Sequence, residues 1–209
     1  MKKLVTLVLI SFTFLLNGYS QVLNDLEMVS PFRDGLASVK KDGKWGFIDE
    51  SGDLVIDFRD DILGSPSASG LAASPELMEY PIFIEERCLI HKIIDGIEYF
   101  GFIDRSGKTV VEPKYVNATN YKNGFAMVTQ HTRQVIGKNE LLGKDVVVHQ
   151  IDELVIDKSG EIAISLMNPR NYVPKNEKKR NPPEMEASLL GDRMVAVKGE
   201  DGKWSVYKF

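Results

Sequence analysis

One phrase, PFRDGLASVKKDGKWGFIDESGDLVIDF at residues 31–58, constrains the fold more than any other part of the chain. It consists of three short apolar runs separated by two turns that contain glycine. Asp42-Gly43 favours a tight hairpin because glycine tolerates positive φ. In the second turn, residues 49–52, the aspartate can accept hydrogen bonds from backbone amides. The phrase therefore predicts three consecutive antiparallel strands.

The middle run of this phrase is apolar on both of its faces. Trp45 and Phe47 alternate with Gly46 and Ile48, and successive residues of a strand point to opposite faces of a sheet. We therefore expect this strand to be covered on both sides. Gly46 within it predicts that another backbone or a large ring passes close by.

The same phrase recurs along the chain. Parts of it return at residues 99–104, 104–107, 121–128, 157–160 and 194–207. The glycines of the second turn, Gly52, Gly107 and Gly160, are 55 and 53 residues apart. A period of this size predicts a tandem repeat protein in which each unit packs on its neighbours.

These residues also carry a resemblance to a known family. The pattern Phe-x-x-Gly-Leu-Ala-x-Val, then Asp-Gly-Lys-Trp-Gly-Phe-Ile-Asp, then Gly-x-x-Val-Ile resembles the WG repeat, named for a Trp-Gly pair that is Trp45-Gly46 here. The stretch at residues 110–118 is similar to the family's junction between consecutive repeats. The resemblance implies β-hairpin units packed side by side, without a shared enzymatic activity or shared catalytic residues.

We predict an all-β fold in which tandem β-hairpin repeats form an open, solenoid-like or curved array; a closed, propeller-like arrangement is the alternative. The predicted units cover residues 31–60, 80–115, 116–166 and 189–209. The last unit ends before a third strand, and we expect it either to cap the array or to pair with the first unit.

Three predicted insertions interrupt the repeats, at residues 64–81, 130–145 and 168–186. The first contains a possible single helical turn at residues 74–77, because a proline stands at its first position. The second contains His131, Arg133, Lys138 and Lys144, and is predicted to form a longer hairpin. The third is rich in proline and lysine, which predicts a mobile loop or linker.

The units differ from one another at the Trp-Gly position. Phe100-Gly101, Glu153-Leu154 and Trp204-Ser205 stand there in units two to four, and unit two lacks the early glycine. Large aromatic residues nevertheless recur at this position of the strand, which predicts a shared role in the core rather than exposed rings for binding sugars. These residues are Trp45, Phe47, Phe100, Phe102 and Trp204.

The first twenty residues have the features of a secretory signal peptide. Lys2 and Lys3 precede an apolar run, Leu4 to Leu16, and small residues follow at positions 18 and 20. We predict cleavage before Gln21, which leaves a repeat domain at residues 21–209 in the periplasm or outside the cell. A membrane anchor is the alternative, but the run is short for a bilayer span. No stable membrane span is therefore expected after cleavage.

Charge and cysteine content narrow the class of partner. The chain has 26 basic and 30 acidic side chains and a net charge of −4, which disfavours nucleic acid because phosphate binding requires clustered positive charge. The only basic cluster, Lys175 to Arg180, is interpreted as a solvated loop. Cys88 is the single cysteine, so no internal disulfide can form, and we expect it to be a small core residue.

No motif in the sequence predicts catalysis, cofactor binding or a metal site. His91, His131 and His149 lack the spacing of metal ligands, and Cys88 lies three strand residues from His91, on the opposite face. The acidic turn at residues 49–53 suggests calcium, but its second copy at residues 104–108 contains basic residues, which favours a plain turn. We predict no catalytic, cofactor-binding or metal-binding residues.

The leading functional hypothesis is an exported, non-enzymatic module that binds another protein through its concave sheet surface or its inserted loops. The alternative is a cell-envelope polysaccharide-binding protein, or a hydrolase that uses a pair of carboxylates. A purely structural envelope component is the third possibility. No cofactor is expected in the leading case.

Overall fold

A computed structural model describes residues 22–63, 80–171, 184–199 and 201–209 of the chain. This described part is all-β and contains no helix. Its strands are β1 (Met28–Val29), β2 (Leu36–Lys41), β3 (Lys44–Asp49), β4 (Leu54–Arg59), β5 (Cys88–Ile94), β6 (Ile97–Ile103), β7 (Thr109–Ala118), β8 (Phe125–Asn139), β9 (Lys144–Asp157), β10 (Ile162–Ser165), β11 (Arg170–Asn171), β12 (Ala187–Gly191), β13 (Met194–Lys198) and β14 (Trp204–Lys208).

The strands form three antiparallel sheets in the order of the chain. Their strand orders are β1-β2-β3-β4, then β10-β9-β8-β7-β6-β5 with β11 also on β9, then β12-β13-β14. The chain continues from the first sheet into the second, where the His91 amide donates to the Asp61 carbonyl at 2.8 Å. No pairing among the described strands joins β14 to the first sheet. The prediction of an open all-β array is therefore confirmed.

Units one to three are each built around two turns, as the sequence indicates. Asp42 and Gly43 both have positive φ, 50° and 74°, as a two-residue hairpin with this twist requires. In the second turn, the Asp49 carboxylate accepts the amides of Ser51 and Asp53 at 2.9 and 3.0 Å. Asp104 and Asp157 hold the other two copies in the same way. The predicted turn role of these aspartates is confirmed.

A close backbone crossing explains the glycine of the Trp-Gly pair. The third strand skips Gly46 in its pairing, and a Cβ atom there would lie 2.8 Å from the Ile56 carbonyl oxygen. Gly101 lies in the same way under the Val111 carbonyl. In unit three Leu154 is tolerated at this position. There the third strand lies beside the middle strand instead of crossing over it, and Ser165 pairs with Leu154. The glycine is needed only where the third strand crosses over the middle one.

The hydrophobic cores lie between units rather than within them. Each cluster combines side chains of two neighbouring units. Between units one and two it includes Trp45, Phe47 and Ile56 with Phe83, Cys88 and Ile90. Between units two and three it includes Phe100, Phe102 and Val111 with Tyr121 and Leu154, and between units three and four Met127 and Val155 with Val195 and Val197. The strands of unit two supply both of the first two clusters, as the two apolar faces of the repeat predict.

Three arginine side chains of units one and two donate hydrogen bonds to turns of neighbouring units. Arg59 donates to the Gly107 carbonyl in the second turn of unit two. Arg87 donates to the Lys158 carbonyl in unit three at 2.9 and 3.1 Å, and Arg105 donates to the Asp34 carbonyl in unit one at 2.8 Å. These bonds satisfy carbonyls that a turn leaves without a ladder partner.

Two sequence predictions need correction. Trp204 is 57% exposed, whereas Trp45 at the equivalent position is 6% exposed, so the predicted core role of Trp204 is wrong. The reason is that no described strand covers the outer side of β14. The third insertion is not a free linker over its whole length, because Arg170–Asn171 pairs with β9.

Other predictions fall on residues outside the described part of the chain. These are the signal peptide at residues 1–20, the helical turn at residues 74–77, and the basic cluster at residues 175–180. The predicted longer hairpin at residues 130–145 is confirmed, since β8 and β9 are 15 and 14 residues long.

The two tryptophans provide a matched test of the shared cores. We expect Trp45→Ala to lower the free energy of unfolding by about 3–5 kcal/mol, because it empties the cluster between units one and two. Trp204→Ala, the same change at an exposed site, is expected to change it by about 0.5 kcal/mol or less. Urea denaturation followed by far-UV circular dichroism measures both. Equal losses for the two variants would contradict the position of the core.

Candidate functional site

The most exposed structure in the array is the outer half of the β8–β9 hairpin. We call residues 132–146 of this hairpin the arm. All fifteen are exposed, on both strands and in the connecting turn. The hairpins of units one and two are only six and seven residues long per strand, so the arm is what unit three adds to the repeat.

The arm presents aliphatic side chains to solvent. Leu141, at the tip, is 95% exposed. Val135 pairs with Val147 and Gln134 pairs with Val148, so apolar residues lie on both faces of the ribbon. The other large exposed apolar side chains of the arm are Ile136, Leu142 and Val146. Apolar surface gathered in this way marks an interaction site more often than a single exposed leucine does.

A two-stranded ribbon without a packed face is marginally stable in water. Among the described residues, the arm is held by its own hairpin hydrogen bonds and by a turn in which the Asn139 side chain accepts the amides of Leu141 and Leu142 at 3.1 and 3.0 Å. Gly143, with φ of 63°, completes that turn. The arm is therefore preformed, but none of the described strands packs over it as neighbouring units pack over one another in the rest of the array.

A polar cluster lies at the root of the arm, which is where β8 and β9 extend beyond the sheet. This cluster fixes the position at which the arm leaves the sheet. The Tyr99 hydroxyl lies 3.3 Å from His131 Nδ1, and His131 Nε2 lies 2.9 Å from His149 Nδ1. The two imidazole rings are stacked, with planes 6° apart. If the hydroxyl donates to Nδ1, then His131 carries its proton on Nε2 and donates to His149. The cluster links β6 to both strands of the arm.

The predictions from the sequence missed this histidine pair. His131 and His149 are 18 residues apart, and only the register of the long hairpin brings them together. A signal did exist: once residues 130–149 are folded about the Asn139–Gly143 turn, the two histidines fall at nearly equal distances from it. The third histidine, His91, lies elsewhere and binds Glu98 at 2.5 Å.

The pKa values of His131 and His91 are shifted in opposite directions. Burial, and then the neighbouring His149, lowers the pKa of His131 below its ordinary value. The hydrogen bond to Glu98 raises the pKa of His91, against the opposing effect of burial. His131 is therefore neutral in the pH range where His91 is already protonated.

Cys88 is positioned as a core residue. It is buried in the cluster between units one and two, and burial raises the pKa of its thiol to about 12. A thiol with so high a pKa is not a nucleophile near neutral pH, since the thiolate is the reactive form. The predicted core role of Cys88 is confirmed.

An ionic network lies at the inner end of the same hairpin. Glu153 stands at the aromatic position of unit three and is fully buried. Its carboxylate forms an ion pair with Arg170 and accepts the Glu186 amide at 2.8 Å. Arg170 also binds the Glu186 carboxylate at 3.3 Å and the Glu184 carbonyl at 3.0 Å. The network thus links Arg170 to Glu184 and Glu186, which come later in the chain, and joins all three to β9.

The described residues contain no group of three or more histidine, cysteine, aspartate or glutamate side chains placed to hold a metal ion. Within the same residues, no helix has the length and apolar character that a membrane crossing requires.

Comparison with known families identifies the repeat. The family described as "WG containing repeat" matches residues 26–45, 45–73 and 100–131. The matches fall on the phrase that opens the array and on the junction of units two and three. No curated protein and no solved structure matches the chain.

The histidine pKa shifts give a test of the root cluster by NMR. As the pH falls below about 6.5, the ordinary histidine pKa, unfolded His131 takes up a proton that the folded chain resists, so this residue lowers stability in acid. His91 contributes stability below about 6.5, and this contribution is lost as the pH rises through its raised folded pKa. We expect the His131 ring to titrate below pH 6.5 and the His91 ring above it.

Asparagine substitution of each histidine in turn assigns the three signals. Identical midpoints for His91 and His131, or a reversed order, would show that the root cluster is not formed as described.

Proposed function

We propose that this chain, a protein built from WG-containing repeats, is an exported, non-enzymatic binding module that engages another protein through the arm. The observation that carries the proposal is the exposure of aliphatic side chains along the arm, up to the tip at Leu141. The repeat array supports the arm, and the partner supplies the cover that the arm lacks.

The composition of the arm favours a protein over a glycan. Residues 132–146, TRQVIGKNELLGKDV, contain no aromatic side chain, whereas sugar binding generally uses aromatic rings as stacking platforms. Aliphatic side chains gain most from burial in a packed interface, at about 25 cal/mol per Å² of apolar surface. Leu141 and Leu142 at the tip are the side chains best placed to enter a pocket on the partner.

The charges of the arm suit the rim of a protein interface. Arg133, Lys138 and Lys144 alternate along the ribbon with Glu140 and Asp145, so neither sign dominates. Mixed charges around an apolar centre give orientation and specificity rather than bulk affinity. A surface that binds an anionic polymer would instead be expected to cluster positive charge.

Contacts at the root of the arm hold the hairpin in a fixed position relative to the sheet. The Tyr99–His131–His149 cluster and the ion pair of Glu153 with Arg170 both act on β8 or β9 where the hairpin meets the sheet. A binding element that is held in place before the partner arrives loses less entropy on binding.

A carboxylate-dependent hydrolase remains the alternative class. Glu153 is the fully buried carboxylate of the described chain, and its ion pair with Arg170 gives it a structural partner rather than a substrate. A general acid would instead be expected to lie in an apolar environment that raises its pKa.

Export rests on the signal-like residues 1–20 and is part of the proposal.

Site-specific photo-crosslinking in the native cells tests the proposal. A photoreactive amino acid at position 141 is expected to form one dominant protein adduct. The same group at position 167, where Met167 is exposed but lies off the arm, is the matched control and is expected to form none. Cell fractionation in the same experiment should recover the adduct from the exported fraction.

A variant of the arm gives the second half of this experiment. Leu141→Ser together with Leu142→Ser is expected to reduce capture of the partner by about tenfold or more, because these tip residues supply the buried contacts. Its far-UV spectrum should be unchanged, since both side chains face solvent. The absence of a protein adduct at position 141, with the chain recovered alone from the exported fraction, would contradict the proposal and favour glycan binding or catalysis.

A further inference from the structure

In the described part of the chain, the last unit has no counterpart of the strand that completes the other three. The middle strands of units one to three, β3, β6 and β9, each pair with a third strand on their outer side. Their equivalent in unit four, β14, pairs with β13 alone among the described strands, and all five of its residues are exposed. No described residue pairs with the backbone hydrogen-bonding groups along the outer edge of β14.

The open edge continues into an open apolar face. Trp204 stands where unit one has the buried Trp45, and Val206, which is 60% exposed, stands where unit one has Phe47, which is 2% exposed. In unit one, Ile56 of the third strand and residues of the next unit cover this surface. In unit one, an antiparallel third strand is therefore part of what buries the equivalent apolar face.

Unit four does not have the aspartate that forms the second turn in units one to three. Lys208 stands at the position of Asp49, Asp104 and Asp157, whose carboxylates accept the turn amides, and an ammonium group cannot accept a hydrogen bond. Phe209 instead continues the pairing with the strand before it: its amide donates to the Arg193 carbonyl at 3.0 Å, and its ring packs on Phe125.

We propose that β14 binds an extended segment of another polypeptide as an added antiparallel strand. Such strand addition obtains its affinity from main-chain hydrogen bonds and its specificity from alternate side chains. This surface is separate from the arm, so the inference does not depend on the function proposed above.

The pairing within the repeats specifies the apolar part of the bound segment. Phe47 pairs with Ile56, and Phe102 pairs with Val111. The residue opposite Val206 is therefore a β-branched aliphatic one.

Charge specifies the rest of the segment. Residues 203–209, KWSVYKF, contain two lysines and no acidic side chain. The third strand of unit one, with its flanking residues GDLVIDFRD at 52–60, is acidic, and the Asp53 carbonyl accepts the amide of Asp49, the counterpart of Lys208. In the same register, an acidic residue of the bound segment would lie beside Lys208.

The other end of the array argues against a second copy stacked head to tail. Ile56 packs against the turn glycine of the next unit, Gly107, and Val111 packs against Gly160. At the first unit this position is already occupied, because Val22 packs against Gly52. The first unit therefore offers no uncovered surface of this kind to the last unit of another copy, and a free strand is the better occupant.

A peptide with the sequence of residues 52–60 and blocked termini is the probe. It contains no tryptophan, and the protein has only two, of which Trp45 is buried, so a change in fluorescence reports on Trp204. We expect titration of the full chain to give a saturable blue shift and protection from acrylamide quenching. A control peptide carrying Ile56→Asp is expected to bind about tenfold more weakly or not at all, because it places a charge opposite Val206.

Variants of β14 separate strand addition from other binding. The carbonyl of Lys203 and the amide of Phe209 point towards the strands of unit four, so by alternation the amide of Val206 points outwards. Val206→Pro removes this amide and is expected to weaken peptide binding about tenfold or more, whereas Val206→Ala retains it and should weaken binding less. Lys208→Glu is expected to weaken binding of the acidic peptide without changing the far-UV spectrum.

Three results would overturn the inference. The first is no saturable response to the peptide, or equal affinity for the wild type, Val206→Pro and Lys208→Glu. The second is self-association in sedimentation velocity that Val206→Pro abolishes, which would assign the edge to a second copy of the chain. The third is protection of Trp204 by a soluble envelope glycan under conditions where the peptide gives none.

Discussion

The burial of apolar side chains between neighbouring units is the interaction on which the rest of this structure depends. A hairpin with six-residue strands cannot enclose a core of its own, and each described cluster takes residues from two units. The middle strand is consequently apolar on both faces: Phe102 packs towards unit three while Ile103 packs towards unit one. Stability in such an array is a sum of contacts between neighbours, so it is greatest in the centre and smallest at the ends.

The residues that distinguish the units follow from how the third strand of each unit packs on its middle strand. Where a third strand crosses over the middle strand, only glycine fits below it, as at Gly46. In unit three, where the third strand lies beside the middle one, a leucine is tolerated. In unit four, where no described third strand pairs with β14, Ser205 and an exposed Trp204 stand at this position. The buried Glu153 needs an arginine because a carboxylate in a core position must be paired. Sequence divergence at the Trp-Gly position thus records local differences in packing.

Much of this fold could be predicted from the sequence because its determinants are local. The Asp-Gly hairpins, the aspartate turns and the close crossing at Gly46 depend on residues a few positions apart. The exposure of Trp204 was predicted wrongly from its position in the repeat, since exposure depends on whether a neighbouring strand covers the residue rather than on the residue itself. The histidine pair and the partner of Glu153 were also missed, because they depend on strand register and on an arginine 17 residues away. The arm could be predicted as an insertion that interrupts the repeats, whereas the open edge of β14 depends on contacts between strands that the repeat pattern does not specify.

Amide hydrogen exchange measured by mass spectrometry along the free chain tests most directly the claim that shared cores hold the array together. The account predicts the slowest exchange in β6, β7 and the inner halves of β8 and β9, which have a core on each side or a strand on each edge. It predicts much faster exchange in the arm, at residues 132–146, and in β14, where cover is missing. Exchange in β14 and the arm as slow as in β6 would contradict it, because each hairpin would then be stable without its neighbours.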